Sequence, residues 1–137
     1  MQYLTSTRTI LSVVLCAAGW SVAAHGHHAF ATEFDVQRPV TLHGKVTKVE
    51  LINPHSWIHI EVVDESGNAV VWMIEGGSPN ALVRRGVTKA SVPVGAELVV
   101  EGYQARDGSN RAVGRNVTFA DGRELFFDGT NASGGAQ

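Results

Sequence analysis

The residues of this chain best suited to chemistry are histidines, and three of the six fall within the stretch "VAAHGHHAF". They are His25, His27 and His28, directly behind a pair of alanines. If the mature chain begins at His25, its free amine, two deprotonated backbone amides and the His27 imidazole place four nitrogens in one plane. Four coplanar nitrogens suit Cu(II) or Ni(II). One hypothesis is therefore a copper or nickel site at a processed N-terminus.

A second metal geometry involves His55, which follows Pro54 at a turn. A histidine at a turn is not held in a regular strand ladder, so the N-terminal arm can approach it. His27, His28 and His55, with Asp35 as a further ligand, would then form a tetrahedral site for zinc or copper. A third interpretation has no metal, and "HGHH" is only a polar terminus. The residues leave these alternatives open.

The role of the histidine cluster depends on whether the chain is processed. A polar start with one basic residue, Arg8, precedes the apolar run "ILSVVLCAAGW" and small residues that end in "VAA". This order is typical of a secretory signal peptide, and the apolar run is about half the length that spans a bilayer. We expect cleavage after Ala24, with Ala23 as the alternative, and a periplasmic or secreted mature chain.

The expected mature chain comprises residues 25–137, which are 113 residues without cysteine and with a formal charge of −3. This length suits one domain, whose core must be stable without disulfides. A slightly acidic domain favours binding neither to nucleic acid nor to a membrane surface. We expect residues 1–24 to be the signal peptide, 25–39 an N-terminal arm, 40–128 the folded domain and 129–137 a disordered tail.

Most of the mature chain has the residue pattern of β-strands. The stretches predicted as strands are residues 40–51, 56–64, 69–75, 96–105 and 111–120, followed by a short "ELFF". In "SWIHIEVVD" the alternation predicts that Ile58, Ile60 and Val62 face the core, whereas His55, Trp57, His59 and Glu61 face the other way. The predicted buried set is Ile58, Ile60, Val62, Val71, Leu98 and Val100.

One short helix interrupts the strands. In "SPNALVRRG", Ser78 is the expected N-cap, Pro79 the first helical residue and Gly86 the left-handed stop. Three strands, a helix and two strands are the order of the five-stranded OB barrel. The predicted fold class is therefore mainly β, with a small five-stranded OB-like barrel that is closed or nearly closed.

Trp57 and His59 form a candidate ligand face on this barrel, because OB barrels often bind ligands with exposed aromatic side chains. The alternative is that the N-terminal arm, anchored by Phe30 and Phe34, covers Trp57. His55 and His59 lie roughly 13 Å apart along a strand, so one metal ion cannot join them. His43 and His59 are accordingly expected to be solvated surface residues.

Four stretches together resemble a known family: "HHAFATEFD", "NPHSWI", "SPNALVRRG" and "VEGYQARDGSNRA". In this order, and over nearly all of the mature chain, they are similar to the bacterial exported family described as domain of unknown function 6152. The resemblance implies a small periplasmic or secreted domain. It carries no catalytic residues over to this chain.

Catalysis is the function that the residues favour least. The mature chain has no thiol, and it has no nucleophile elbow, zincin motif or glycine-rich phosphate loop. We therefore expect a non-catalytic binding or accessory module for a small molecule, a peptide or a periplasmic protein, with no cofactor required. The alternative is a copper- or nickel-binding protein that uses His25, His27, His28 and His55.

Overall fold

The computed structural model of the chain describes residues 32–127. Within this range the strands are β1 (Phe34–Ile52), β2 (His55–Val63), β3 (Ala69–Glu75), β4 (Glu97–Ala105), β5 (Arg111–Phe119) and β6 (Glu124–Leu125). Helix α1 (Pro79–Arg84) and a 3₁₀ helix (Lys89–Ser91) lie between β3 and β4. The prediction of a mainly β protein is confirmed. The predicted signal peptide, the histidine cluster, Phe30 and the predicted tail lie outside the described residues.

The strands form one sheet in the order β3-β2-β1-β4-β5-β6, and neighbours in this order are antiparallel. Strand β3 also pairs in parallel with β5, through residues 73–75 and 111–113. The pairings β1–β2, β2–β3, β3–β5, β5–β4 and β4–β1 therefore make a closed cycle. The short β6 is an addition to the five strands of the predicted barrel, and it extends from β5.

Strand β1 is long enough to pair with two neighbours. Its first part pairs with β4 and its second part with β2, and the two pairings overlap at Gly44 and Lys45. A Cβ atom on Gly44 would lie 2.7 Å from the carbonyl oxygen of Glu61, so a larger residue does not fit where β1 changes partner. Strand β1 begins at Phe34 rather than near Val40 and thus extends into the predicted arm. Phe34 is 2% exposed and anchors this segment, as expected.

The main core confirms most of the predicted buried set. Ile58, Ile60, Leu98 and Val100 are buried, and Val62 packs partly buried against the same core. The prediction for Val71 is wrong, because its side chain is 49% exposed. Val71 pairs with Glu61, and directly opposite residues of antiparallel strands share a face. The continuous apolar run "AVVWMIE" did not reveal which alternate residues face inwards.

Helix α1 forms as its end residues predict. The Ser78 hydroxyl accepts a hydrogen bond from the Ala81 N–H, Pro79 is the first helical residue, and Gly86 has a φ of 81°. The guanidinium of Arg85 lies 3.9 Å from the centre of the Phe126 ring, which gives the charge at this helix end a packing role. No helix among the described residues is long and apolar enough to cross a membrane.

The segment after β6 is the second half of the predicted short strand "ELFF", and it belongs to the core although the strand itself ends at Leu125. The Phe127 side chain is buried, and its backbone carbonyl accepts a hydrogen bond of 2.9 Å from the Gly77 N–H. A Cβ atom on Gly76 would lie 2.6 Å from the Phe127 ring. The loop after β3 therefore packs directly against the last described residue.

Candidate functional site

A second, smaller hydrophobic cluster lies on the face of β5 opposite to the main core. It consists of Phe34, Ala105 and Val113, with Tyr103 packed against it. Ala112 belongs to the main core, and successive residues of a strand point to opposite faces. Because Glu75 pairs with Val113, its side chain lies on the face of the second cluster. The carboxylate that ends β3 is buried at this position.

Glu75 is paired with His55, at the start of β2. Nδ1 of His55 contacts Oε1 of Glu75, and the side chain of Glu75 is 8% exposed, against 47% for His55. Burial raises the pKa of Glu75 above its ordinary value, and the charge of Glu33 raises it further, whereas His55 and Arg111 lower it. The pair thus presents an oriented imidazole at the surface, with Nε2 on the ring edge away from the carboxylate.

Arg111 joins the start of β1 to the loop between β4 and β5. Its guanidinium donates to Glu33 at 3.0 Å and to Asp107 at 3.2 Å, and its Nε donates to the Ser109 hydroxyl at 3.2 Å. Hydrogen bonds from Ser109, and then the Arg111 guanidinium, lower the pKa of Asp107. The N–H of Arg106 also donates to the Glu33 carbonyl at 3.0 Å. The charges of Glu33 and Arg111 also act on the pKa of Glu75, so the first described residues lie near the His55–Glu75 pair.

His59 is not solvated, so that expectation is wrong. Its Nε2 lies 2.7 Å from Oε2 of Glu50, and its side chain is only 15% exposed. Lys48 contacts the other oxygen of this carboxylate at 2.7 Å, and Lys48 and His59 together lower the pKa of Glu50. His55 and His59 are thus held by different carboxylates, in agreement with their predicted separation. His43 is exposed, as expected.

A cavity of about 380 Å³ opens beside His55. It is lined by residues 52–55 of the turn region between β1 and β2, with Glu50, Trp57 and Met73. Trp57 is half-buried rather than fully covered by the described residues. It pairs with Glu75, and His59 pairs with Met73, so these four side chains share the outer face of β2 and β3.

A larger cavity, of about 540 Å³, lies between β1, the end of β2 and the start of β4. His43, Glu61 and Val99 are among its lining residues, and Lys45 and Glu97 pair there at 3.6 Å with both side chains largely exposed. This second cavity contains neither a buried charged group nor an imidazole oriented by one, among the residues that the structure describes. The cavity beside His55 is lined by an imidazole that the buried carboxylate of Glu75 contacts.

Within residues 32–127, no group of three or more His, Cys, Asp or Glu side chains is placed to hold a metal ion. Of the four predicted metal ligands, only His55 is described, whereas His25, His27 and His28 lie outside the described range. Asp35, the suggested further ligand, accepts a hydrogen bond of 3.0 Å from the N–H of Gln37. Of the convergent geometry, the structure thus describes His55 and the suggested further ligand Asp35, whereas His27 and His28 lie outside the described residues.

A family model matches residues 13–115, which is more than half of the chain. Its description is a family of unknown function, DUF6152. The chain belongs to the DUF6152 family. The DUF6152 match includes His55, Trp57, Met73, Glu75 and Arg111, so the site lies inside the family's domain. Comparisons with the curated proteins and with the solved structures found no match.

The sequence pattern pointed to His55, Trp57 and His59 in this site but missed Met73, Glu75 and Arg111. Glu75 did leave a signal, since it is the only charged residue of "AVVWMIE" and directly precedes Gly76 and Gly77. A carboxylate that ends an apolar strand is a candidate for burial beside a polar partner. Met73 left none, because a methionine within an apolar run is usually a core residue.

Proposed function

We propose that this chain is a non-catalytic binding or accessory module, built on an OB-like barrel, that works in the periplasm or outside the cell. The closed cycle of strand pairings supports the barrel, because a sheet that pairs in a cycle removes its own edges. The position of α1 between β3 and β4 agrees with the same fold class. The charged, apolar and small-residue order of residues 1–24 supports export.

The observation that carries the proposal is the cavity beside His55, Trp57 and Met73. OB barrels bind ligands on the face of strands 2 and 3 and at the loops that follow strands 1 and 4. Here the cavity lies on β2 and β3 beside the first of these loops, and Arg111 holds the second loop nearby. Small-molecule sites have volumes of about 300–1,000 Å³, so the cavity is large enough for a small ligand or a peptide side chain.

The charges around the cavity favour a neutral or cationic ligand. Four carboxylates lie in or beside the site, those of Glu33, Glu50, Glu75 and Asp107, and the nearby cations Lys48 and Arg111 are engaged by three of them. An acidic surface repels phosphate groups, so nucleic acid and anionic membranes are not the proposed partners. The described lining residues offer an imidazole without a neighbouring hydroxyl or thiol nucleophile, which favours binding over catalysis.

Nuclear magnetic resonance of the processed, ¹⁵N-labelled protein tests this proposal. The probes are a small aromatic amine, a disaccharide and a basic tripeptide, each added separately. With at least one probe, we expect shifts of the Trp57 indole N–H and of the backbone N–H groups of His55 and Met73. In Trp57→Ala, we expect the probe to shift neither backbone N–H group. His43→Ala is the matched control, because it changes the larger cavity. Shifts confined to His43 and Val99, or no shift with any probe, would contradict the proposed site.

The second candidate function is metal binding, and the orientation of His55 favours it. A histidine that binds metal usually gives its other ring N–H to a carboxylate, and His55 already contacts Glu75 through Nδ1. His28 precedes Glu33 by five residues, which span at most about 18 Å. Since Glu33 lies beside the pair, the histidine cluster is close enough in sequence to reach His55. This supports copper or nickel binding by His25, His27, His28 and His55.

Copper titration of natively exported protein tests the metal candidate. Intact mass first establishes whether the chain starts at His25, as the terminal geometry requires. Cu(II) binding is then followed by visible absorption and electron paramagnetic resonance. We expect His27→Ala to remove the tight site and His55→Ala to weaken it only in the convergent geometry, with His43→Ala and His59→Ala as controls. Binding that His27→Ala leaves unchanged, or no binding at micromolar copper, would rule out both geometries.

A further inference from the structure

We infer that the open edge of β3, at residues 69–72, is a docking edge for an extended segment of another protein that carries lysine or arginine side chains. The segment joins the sheet as a further strand, beside β3 and on the side away from β2. This surface goes beyond the proposed binding face, because none of the residues that line the cavity beside His55 belongs to it.

The first part of β3 has a strand on one side only. All of β3 pairs with β2, whereas its parallel pairing with β5 covers residues 73–75 alone. The chain before β5 turns towards β4 instead, where the Gly108 and Ser109 carbonyls accept hydrogen bonds from the side-chain amide of Gln104. Residues 69–72 therefore have an open edge among the residues that the structure describes.

The alternation of the strand shows which backbone groups point to this edge. The Met73 N–H donates to the Asn110 carbonyl at 3.0 Å, on the β5 side of β3. Backbone groups of strand residues two apart point the same way, so the N–H and C=O groups of Val71 and Ala69 point away from β2. Within residues 32–127, neither residue has a backbone hydrogen bond on this side. These are the donors and acceptors that an added strand would use.

Exposed apolar side chains lie beside the open edge. Val71 is 49% exposed and Val63 is 68% exposed. Val71 lies opposite Glu61 and Val63 opposite Ala69 on the outer face, so the apolar surface continues from the edge onto β2. Natural sheets protect their edges with lysine, proline or a bulge, whereas residues 69–72 contain neither Lys nor Pro and pair regularly with β2.

The charges around the edge favour a cationic segment. Residues 49–83 contain no lysine or arginine but five acidic residues. Three of these, Glu61, Asp64 and Glu65, lie at the end of β2 and in the turn to β3. Lys45 lies opposite Glu61 on β1, two strands from the open edge, and pairs with a carboxylate of β4. Since complementary charge steers association, a basic segment fits this edge better than an acidic one or a second copy of the same acidic hairpin.

The turn between β2 and β3 holds the edge in position before a partner binds. The Asp64 carboxylate accepts hydrogen bonds from the Ser66 N–H at 2.9 Å and from the Asn68 N–H at 2.8 Å. The Asp64 N–H in turn donates to the Asn68 carbonyl at 2.9 Å. A preformed edge lowers the ordering cost of binding.

The competing explanation is that residues 69–72 are a short, solvated strand end, since a short edge is itself a protection against aggregation. Val71→Pro separates the two explanations, because it removes an N–H at the open edge and none that points to β2. Val71→Ile is the matched control, which keeps both the N–H and the apolar side chain. Val71→Lys repels a cationic partner, and Val83→Lys makes the same change at a valine of α1 that is 52% exposed.

The experiment titrates three end-blocked pentapeptides into processed, ¹⁵N-labelled protein. The first alternates lysine with valine, the second has glutamate in place of lysine, and the third is the first with a fully N-methylated backbone, which cannot donate hydrogen bonds. Nuclear magnetic resonance follows the chemical shifts and the hydrogen exchange of the backbone N–H groups. We expect the lysine peptide to shift the Val71 and Ala69 N–H groups and to slow their exchange, and the other two peptides to bind more weakly.

The variants should change the affinity for the lysine peptide in a set order. Val71→Pro should weaken binding about tenfold or more, because a donor is lost and the ring stands in the way of the added strand. Val71→Lys should also weaken it. Glu61→Gln and Glu65→Gln should each weaken binding about two- to fivefold, as exposed charge pairs do. Val71→Ile and Val83→Lys should leave the affinity unchanged.

Each outcome decides the inference. Equal affinity in the wild type and in correctly folded Val71→Pro would overturn it, as would equal binding of the lysine peptide and its N-methylated form. Slow exchange of the Val71 N–H without any peptide would also overturn it, because another part of the chain or a second copy would then occupy the edge. Peptide shifts at Trp57 and His55 without protection of Val71 would support the cavity beside His55 and contradict the docking edge. Protection of Val71 without shifts at Trp57 and His55 would support the docking edge alone.

Discussion

Nδ1 of His55 contacts the buried carboxylate of Glu75 across the antiparallel strands β2 and β3. The contact is diagonal, because the register partner of Glu75 is Trp57, two residues after His55. Trp57 therefore stands beside an imidazole whose orientation a buried group determines. This relationship makes the outer face of β2 and β3 the best candidate for function in the described part of the chain.

The pH dependence of folding should report the burial of Glu75. Because its pKa is raised in the folded state, the two states bind this proton equally below the unfolded-state pKa. Stability is then lost as the pH rises through the folded-state pKa. We expect the free energy of unfolding to fall less from acidic to neutral pH in Glu75→Gln than in the wild type. Urea unfolding across that pH range measures this difference. The matched control is Glu124→Gln, at an exposed position, and identical curves for Glu75→Gln and the wild type would contradict the prediction.

Two serines should respond oppositely to replacement by alanine. The hydroxyl of Ser56 is buried without a hydrogen-bond partner among the described residues, so Ser56→Ala removes an unsatisfied group and should leave stability unchanged or raised. The hydroxyl of Ser78 caps α1 at 3.4 Å. Loss of an N-cap costs about 0.5–2 kcal/mol, and we expect the lower end because this bond is long. Thermal unfolding of both variants checks the contrast, which a larger loss for Ser56→Ala would refute.

The packing of Gly76 against Phe127 predicts a coupled pair of substitutions. Gly76→Ala would place a Cβ atom 2.6 Å from the Phe127 ring, and overpacking of this kind costs about 1–3 kcal/mol. Phe127→Ala removes the ring, with a cost of about 3–5 kcal/mol for a buried phenylalanine. We expect Gly76→Ala to lower the free energy of unfolding by less in the Phe127→Ala background than in the wild type. Denaturant unfolding of the four proteins in this cycle measures the coupling, and strict additivity would show that the ring does not oppose the added methyl group.

Arg111 should hold the start of β1 against the loop between β4 and β5. Arg111→Met preserves much of the side-chain length but loses the contacts to Glu33 and Asp107. We expect faster hydrogen exchange at the Arg106 N–H, which donates to the Glu33 carbonyl. Arg123→Met is the control, because Arg123 pairs with Asp121 in a different turn. Unchanged exchange at Arg106 in Arg111→Met would mean that the backbone contacts alone hold this segment.

Local chemistry explains why most elements were predictable. The residues of "SPNALVRRG" predict α1 because an N-cap, a first-turn proline and a left-handed glycine act within a few positions. The alternation of "SWIHIEVVD" places Ile58 and Ile60 in the core for a similar reason, since each strand residue points opposite to the next. Both elements are found as predicted.

Longer-range packing explains the misses. The start of β1 at Phe34 depends on its pairing with Ala105, and the burial of Phe127 depends on the space that Gly76 leaves. Val71 was assigned to the core because the run "AVVWMIE" has no polar alternation to set its phase. His59 was expected in solvent, because nothing in its own strand indicates that Glu50 lies close to it on β1.

The sequence by itself determined the strands, the helix and its caps, and the residue types that make His55, Trp57 and His59 candidates. Only the tertiary structure decided their partners: Glu75 for His55, Glu50 for His59, and Met73 as a second lining residue beside Trp57. The physical reason is register. A shift of one residue moves every side chain of a strand to the other face, and β1 shifts its pairing between Val46 and Lys48. Such an irregularity arises from the packing of the whole sheet, so no pattern within a single strand contains it.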